Sequence, residues 1–409
     1  AASDVYKRQG RWEADEANKP AEVEAIEAFL FSQAEFRHNV ITHHCEIRWT
    51  EEAGFLPLTD RDVNTLWGRM NKTVGRVYLT DIYNVIHSEF VPLFNPFQSY
   101  FDHLPSWDGV SDPIGDLADT VHVKSDQAEF RDYFRKWFVG ILPALLDDTV
   151  VNHEILVLIG EQGLYKTTWF NFLLPPELRC YFYTKTNSDR LNKDDLFSLT
   201  EFALICFEEL DGMRPAELNQ LKAMVTMPYV NERAAYGRNK ERHPHIASFC
   251  GTGNNVQFLT DPTGNRRWLP FEVSQIRDPH QHAIPYELVY SQAYALWKSG
   301  FCHWFSQEEI RKLNMHNSRF EVPNLEEDLI RTHFRKPFEG ETGIFVTAAD
   351  ILEQISSCLR YPLSPNKIGR IMAGLEFESI RYKGKRGYIA VKKTGEDIDR
   401  ERRSGALGL

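Results

Sequence analysis

The segment "VLIGEQGLYKTTWFNFLL" at residues 157–174 has the pattern of an apolar strand, a glycine-containing turn and a helix. Backbone N–H groups after such a strand and at the start of the helix can bind phosphates. Lys166 would reach the β- and γ-phosphates, and Thr167 would ligate Mg²⁺. The usual pattern, G-x-x-x-x-G-K-[ST], has glycine at the position of Tyr165. Alone, the segment leaves two alternatives: a nucleotide site with one unusual residue, or a strand–turn–helix that contains Lys-Thr by chance.

The nucleotide-binding prediction covers a run of consecutive residues in this segment. A side chain at Tyr165 is costly only where the backbone takes positive φ or lies against the ligand. The predicted ATP-binding residues are Gly160, Glu161, Gln162, Gly163, Leu164, Tyr165, Lys166, Thr167 and Thr168.

A second segment, "ALICFEELDG" at 203–212, ends an apolar strand in Glu208 and Glu209. An ATPase needs one carboxylate to hold the water shell of Mg²⁺ and another to polarise the attacking water. A solvated acidic turn is the alternative, and the apolar strand before the pair counts against it. We assign Glu208 and Thr167 to the metal. Asp211 is expected to cap the helix that follows.

Two further segments carry polar residues suited to phosphoryl chemistry. "SFCGTGNN" ends a strand in Asn254 and Asn255, and an amide there could orient the lytic water; an ordinary asparagine turn is the alternative. "DPTGNRRWLPFEV" places Arg266 and Arg267 after a tight turn. Arginine stabilises charge on a transferring phosphoryl group, and in ring ATPases it often comes from a neighbouring subunit. A surface arginine pair is the alternative here.

Two basic segments lie within a chain whose net charge is −11, so contact with nucleic acid is expected to be local. The segment at 229–246 combines basic residues with tyrosines, which suits a hairpin that follows single-stranded DNA, although a solvated charged hairpin has the same composition. Residues 342–393 hold nine Lys/Arg against four Asp/Glu. The predicted nucleic-acid contacts are Arg233, Arg238, Lys240, Arg242, His243, Lys383, Lys385 and Arg386.

Composition excludes several classes of protein. With 42% hydrophobic and 13% aromatic residues the chain can build a large core. Its six cysteines form no CxxC pair, which is typical of a reduced cytoplasmic protein. The sequence contains no run of 18 apolar residues, so no membrane span is predicted. Residues 1–9, "AASDVYKRQ", resemble a translated sequencing adapter, and we expect the protein to extend further N-terminally.

The expected architecture is an α/β P-loop NTPase core, a parallel sheet with helices on both faces, between two smaller parts. Helical spacing over 20–47 predicts a helical N-terminal region, and four prolines over 92–113 predict a linker. Two helices and a hairpin over 342–393 suggest a winged helix. The expected boundaries are 10–112 for the helical region and linker, 113–320 for the ATPase domain, 321–341 for a linker, 342–393 for the winged-helix-like domain, and 394–409 for a tail.

These motifs together resemble the virulence-associated E family, which is similar to superfamily 3 helicases. The resemblance covers about residues 90–275 and rests on "GEQGLYKTT", "FEELDGM", "YGRNKERHPHIASFCGTGN" and "DPTGNRRWLPFEV". It implies Lys166 and Thr167 at the triphosphate and Mg²⁺, and Glu208 with Glu209 as the acidic pair. It also implies Asn254 or Asn255 as a sensor of the γ-phosphate, and Arg266 or Arg267 as an arginine acting on a neighbouring subunit.

The function expected from this resemblance is ATP-driven translocation on, or unwinding of, single-stranded or forked DNA in replication of a phage, plasmid or other mobile element. A homo-hexamer is implied, and relatives often carry a primase-like region in front. Two other functions stay open. Tyr165 suits a nucleotide-gated DNA-binding initiator with weak or no hydrolysis, and a small-molecule phosphotransferase would need an acceptor pocket instead of a basic hairpin.

Overall fold

The structure is a computed structural model that describes residues 21–52, 54–186, 193–232, 241–260, 265–323, 325–338, 340–356 and 364–398. The chain divides into two compact units, Ala1–Phe320 and Glu321–Leu409. Among the described residues, none of the helices has the length and apolar character needed to cross a membrane.

The first unit begins with a small α/β part. Its helices are α1 Val23–Gln33, α2 Asp60–Thr73 and α3 Leu79–Ile86. Its strands are β1 Ala34–Asn39, β2 His44–Trp49, β3 Leu56–Pro57 and β4 Leu93–Phe94, in the order β3-β2-β1-β4. The two long strands are antiparallel and share a hydrophobic core with the three helices.

The prediction of a helical region over 20–47 is therefore wrong beyond Gln33. Ala34 and Phe36 are buried on alternate positions of β1, and Cys45 and Ile47 do the same on β2. This period of two is that of a strand with one buried face. Phe36 also fits a helical spacing counted from the preceding helix, so the apolar pattern alone does not mark the end of α1 at Gln33.

The remainder of the first unit is built around a six-stranded sheet. Its helices are α4 Pro96–Asp102, α5 Pro113–Ala118, α6 Gln127–Leu146, α7 Lys166–Leu173, α8 Lys193–Glu201, α9 Pro215–Val225, α10 Tyr286–Lys298 and α11 Gln307–Asn317. The six strands of the sheet are β5 Val121–Val123, β6 Ile155–Ile159, β7 Phe182–Lys185, β8 Leu204–Phe207, β11 Ser248–Gly253 and β12 Trp268–Ile276, and β9 Tyr229–Glu232 and β10 Glu241–Pro244 form a separate two-stranded sheet.

The sheet has the order β5-β12-β6-β11-β8-β7, and all neighbours are parallel except the β5–β12 pair. Alternate residues of β6 point to opposite faces. Leu156 and Leu158 join the hydrophobic cluster that includes Phe138 of α6, and Val157 joins the cluster that includes Leu221 of α9. Apolar side chains thus cover both faces, and the predicted α/β class with a parallel sheet is confirmed.

The prediction of a linker over residues 92–113 is wrong, because this segment contains the packed helix α4. The Asn95 side chain accepts hydrogen bonds from the N–H groups of Phe97 and Gln98 and starts α4, with Pro96 in the first turn. Phe97 and Phe101 are buried in the main core. The turn-forming residues of this segment therefore cap and start a short packed helix.

The second unit contains the expected order of two helices and a hairpin. Its elements are α12 Leu325–His333, β13 Phe334–Arg335, β14 Ile344–Val346, α13 Ala348–Ser356, α14 Pro365–Gly374, β15 Ser379–Tyr382 and β16 Lys385–Lys392. The hairpin turns at Lys383 (φ 47°) and Gly384 (φ 78°), the positive φ pair of a tight two-residue turn. The expected linker at 321–341 is instead largely α12 and β13, with Ile330 and Phe334 buried in this unit's core.

Candidate active site

The parallel strands bring Lys166, Glu208, Glu209 and Asn254 to one edge of the sheet. β6, β8 and β11 all end there, and the chain continues into the Gly160–Tyr165 loop, Glu208 and Asn254. These segments surround a cavity of about 360 Å³. Its lining consists of Gln162, Gly163, Leu164, Tyr165, Lys166, Thr167, Thr168, Glu208, Glu209, Thr252 and Asn254.

Lys166 lines this cavity and is 8% exposed. Its Nζ donates to the carbonyl oxygens of Gly160 at 2.6 Å and Glu161 at 2.8 Å, and lies 3.4 Å from Oδ1 of Asn254. Burial lowers the pKa of Lys166, and the nearby carboxylate of Asp211 opposes that shift. The ammonium group is thus held against the loop by oxygen acceptors alone.

The loop before Lys166 needs unusual backbone angles. Gly163 has φ of 85°, and Tyr165 has φ 60° and ψ 17° in the left-handed region. A Cβ at Gly160 would lie 2.9 Å from the carbonyl oxygen of Val273, so only glycine fits there. Tyr165 therefore occupies the conformation for which glycine is the usual residue, and its side chain is 42% exposed.

The acidic segment contacts the first turn of α7 through Glu208. The hydroxyl of Thr167 donates to Oε1 of Glu208 at 2.8 Å. Adjacent hydroxyl and carboxylate oxygens are hard donors of the kind Mg²⁺ prefers, and Mg²⁺ keeps several of its waters, so two protein ligands suffice. Glu209 lines the same cavity and, like Tyr165, has a left-handed backbone, with φ 54°. Two such residues facing one cavity are typical of functional sites.

Asp211 does not cap the following helix, which corrects our expectation. That helix begins at Pro215, with Arg214 as its N-cap and Glu217 completing the capping box. Instead, Oδ1 and Oδ2 of Asp211 accept hydrogen bonds from the backbone N–H groups of Asn254 and Asn255, both at 3.1 Å. Asp211 thereby joins the acidic turn to the end of β11.

The two asparagines have different surroundings. Oδ1 of Asn255 accepts from the N–H of Gln257 at 3.1 Å and shapes the local turn. Asn254 lines the cavity and approaches Lys166. Of the two residues that the sequence left as alternatives, Asn254 is the one placed beside the lysine.

Arg266 and Arg267 lie at the opposite edge of the sheet. They precede β12, whose first residue, Trp268, pairs with Ile155 at the start of β6. The loop around Lys166 follows the other end of β6, roughly 16 Å away at about 3.3 Å per residue. Arg266 is exposed and Arg267 is half-buried. Burial and the neighbouring charge of Arg266 both lower the pKa of Arg267. The arginine pair does not reach the cavity of its own chain.

The central basic segment forms an antiparallel pair of strands, β9 and β10. Arg233, Arg238 and Lys240 lie outside the described residues. The guanidinium of exposed Arg242 lies over the ring of Tyr229, 3.7 Å from its centroid. His243 is buried and packs edge-on against His43, which corrects the expectation that its ring faces a nucleic acid.

The basic hairpin of the second unit presents its charges to solvent. Lys383, Lys385 and Arg386 are all exposed. The Nε of Arg386 donates to the hydroxyl of Ser379 at 3.1 Å, and the ammonium of Lys383 lies 5.3 Å from the ring centroid of Tyr382. The three side chains therefore share one exposed hairpin.

The family described as "Virulence-associated protein E-like domain" matches residues 102–322, more than half of the chain. No curated protein matched. The chain is similar to three structures of the C-terminal region of NrS-1. The first is its apo structure, residues 305–718, with 12% identity, TM-score 0.48 and coverage of 90% of this chain and 98% of that one.

The other two are A-form apo structures of the same NrS-1 region. They share 12% and 11% identity with this chain, at TM-scores of 0.47 and 0.48. Each covers 90% of this chain, with 98% and 99% of the NrS-1 chain. On the family match over residues 102–322, this chain belongs to the virulence-associated protein E-like domain family.

Proposed function

We propose that this chain is an ATP-dependent DNA helicase or translocase with a P-loop NTPase core, of the superfamily 3 type, acting in replication of a mobile element or prophage. The observation that carries the proposal is the meeting of Lys166, Thr167, Glu208 and Asn254 around one cavity at the carboxyl ends of three parallel strands. Ligands of open α/β sheets bind outside the carboxyl ends of the strands.

In this proposal the phosphates of ATP lie against the first turn of α7, whose N–H groups have no partners within the helix. Lys166 exchanges its bonds to the Gly160 and Glu161 carbonyls for bonds to the phosphates. Asn254 then reports the terminal phosphate, and Glu209 polarises the attacking water. Thr167 and Glu208 would hold Mg²⁺, which when bound neutralises charge on the phosphates.

The arginine pair supports a ring of identical subunits. Arg266 and Arg267 lie at the far edge of the sheet from Lys166 and cannot act within one chain. In a hexamer each pair would act on the neighbouring subunit's nucleotide, as arginine does in other ring ATPases. Hydrolysis would then depend on subunit assembly.

Contact with DNA is assigned to the strand pair β9–β10 and to the exposed basic hairpin at 379–392. Arg242 stacked on Tyr229 offers a cation and a ring to a single strand, and the hairpin at 379–392 offers Lys383, Lys385 and Arg386. Both are local basic features on an acidic chain, so binding should weaken steeply as salt rises.

The decisive test is phosphate release with and without single-stranded DNA. We expect DNA to stimulate release, and Lys166→Ala to abolish it. Lys312→Ala is the matched control, because Lys312 is an exposed lysine paired with Glu308 on α11. ATP hydrolysis that is indifferent to DNA would favour a small-molecule phosphotransferase instead.

A nucleotide-gated initiator is the second candidate, and the left-handed backbone of Tyr165 favours it. Strain at the loop could slow turnover while leaving binding intact. This candidate predicts ATP-dependent DNA binding without release of phosphate, and equal DNA affinity with ATP and with a non-hydrolysable analogue. DNA-stimulated hydrolysis lost in Lys166→Ala would reject it.

A further inference from the structure

We infer that the first unit has a second binding site, a cleft that takes a basic peptide segment of a partner protein. The cleft has a volume of about 740 Å³ and shares no lining residue with the cavity at Lys166. It includes Tyr181 and Phe202, which precede β7 and β8, so it lies at the amino edge of the sheet.

One wall of the cleft is the outer face of the small N-terminal sheet. Phe36 and Ile47 point into the hydrophobic core, so the alternate residues Arg37 and Glu46 point out and line the cleft. The opposite wall comes from α4, residues 177–181 and the end of α8.

The polar groups of the sheet wall are held in place by one another. Nε of Arg37 donates to Glu46 at 2.5 Å, and the guanidinium lies 4.0 Å and 3.5 Å from the ring centroids of Phe55 and Phe94. Asn39 donates to Glu46 at 2.7 Å and to the hydroxyl oxygen of Tyr181 at 2.8 Å. The positive charge of Arg37 is thereby matched, and this wall is ordered before any ligand binds.

Besides the imidazoles of His44 and His103, the remaining charged side chains of the cleft are carboxylates. Glu177, Glu201 and Glu287 line it. Within the part of the chain that the structure describes, no ion pair joins Glu177 or Glu287 to a cation, whereas Glu201 lies near His44 and His243, whose charges oppose the rise in its pKa that burial causes. Burial, together with the charges of Glu177 and Glu287, raises the pKa of Tyr100 on the same wall. Such a surface repels phosphates and attracts ammonium and guanidinium groups.

Aromatic rings complete the match to a cationic side chain. A lysine or arginine head group over an aromatic face gains about 0.5–1 kcal/mol at an exposed site and more when desolvated. Arg37 already lies against Phe55 and Phe94, and the other rings that line the cleft are Tyr100, Tyr181 and Phe202.

The length of the cleft favours a peptide over a single small cation. A second cavity of about 440 Å³ shares Tyr100, Glu177 and Glu287 with the first. Three prolines, Pro175, Pro176 and Pro285, line this continuation. An extended segment could therefore place one basic side chain at the Glu177–Glu287 pair and others on either side.

The test is fluorescence anisotropy with a labelled ten-residue peptide of alternating lysine and alanine, against the full chain. We expect Glu177→Gln/Glu287→Gln to weaken binding about tenfold, the sum of two charge contacts. Glu51→Gln/Glu89→Gln is the matched control, since it removes two exposed carboxylates outside the cleft. The control pair should change the affinity for the peptide less than about twofold, because exposed charges outside the cleft are screened by salt.

A second variant blocks the cleft without altering charge. Ser99→Trp places an indole among the lining residues and should also weaken peptide binding, by about tenfold or more. Unchanged melting temperatures would show that both cleft variants fold. Equal losses in the cleft and control pairs would overturn the inference as non-specific attraction. Binding of spermidine at this cleft without binding of the peptide would overturn it in favour of a small polyamine.

Discussion

Asp211→Asn tests how the acidic turn positions Asn254. The aspartate carboxylate accepts one hydrogen bond on each oxygen, from the N–H groups of Asn254 and Asn255. Asparagine keeps one acceptor and places an NH₂ group against the second N–H. The variant therefore loses one charge-assisted hydrogen bond and leaves a donor facing a donor.

The magnitude follows from that single bond. A hydrogen bond to a charged group contributes about 1.5–3 kcal/mol, and Asp211 is partly exposed, so we take the lower end. About 1.5 kcal/mol corresponds to roughly a tenfold change. If Asn254 acts on the terminal phosphate, kcat should fall about tenfold while KM for ATP changes little, because the loss appears in the transition state.

A pH profile separates this role from a purely structural one. The carboxylate of Asp211 raises the pKa of Lys166, opposing the effect of burial. Without that charge, Lys166 should lose its proton at lower pH, and the alkaline limb of the ATPase profile should move in the same direction. A variant that was merely less stable would not move this limb.

The matched control is Asp108→Asn. Asp108 also accepts from two backbone N–H groups, those of Val110 and Ser111, but in an exposed loop outside the cavity. Its ATPase activity and pH profile should match those of the unaltered protein. Wild-type turnover and an unmoved alkaline limb in Asp211→Asn would refute the positioning role.

Three further predictions concern Tyr165 in the loop before α7, Glu154 before β6, and Arg242 on β10. The free energy of unfolding, measured in urea, should be about 1 kcal/mol higher for Tyr165→Gly than for Tyr165→Ala, because only glycine takes φ of 60° without strain. Equal free energies for the two variants would contradict backbone strain at this position. Burial raises the pKa of Glu154 from 4.5 to about 7, so the folded state binds its proton more tightly and stability falls as pH rises across that interval. Glu154→Gln should consequently raise the melting temperature more at pH 8 than at pH 5, and a uniform shift would contradict this. Arg242→Glu should weaken stimulation of the ATPase by DNA while leaving the basal rate unchanged, with Arg311→Glu on α11 as the control; unaltered stimulation would remove the hairpin from the DNA path.

The central parallel sheet could be predicted from local sequence, because its strands β6 and β8 are apolar at every position. Ile155–Ile159 and Leu204–Phe207 are buried on both faces, and this pattern occurs in parallel sheets covered by helices. The N-terminal strands could not be predicted because Phe36 fits both a helical and a strand spacing. The turn that separates the two strands lies at His43, whose φ of 56° is a property of the folded backbone. Pairing between β1 and β2, which settles the matter, is a contact between separate segments.

The linear order of residues determined which chemical groups this chain carries after its strands: a lysine, a threonine, two glutamates and two amides. Tertiary structure decided which of them meet. Asn254 and not Asn255 faces Lys166, Asp211 reaches across to β11, and the arginine pair lies at the far edge of the sheet. The same holds for the cleft lined by Arg37, Tyr100 and Glu201, whose walls come from distant parts of the chain. Local periodicity reports which way a side chain points along its own strand or helix, whereas distances between elements depend on strand order and packing, which no short stretch of sequence contains.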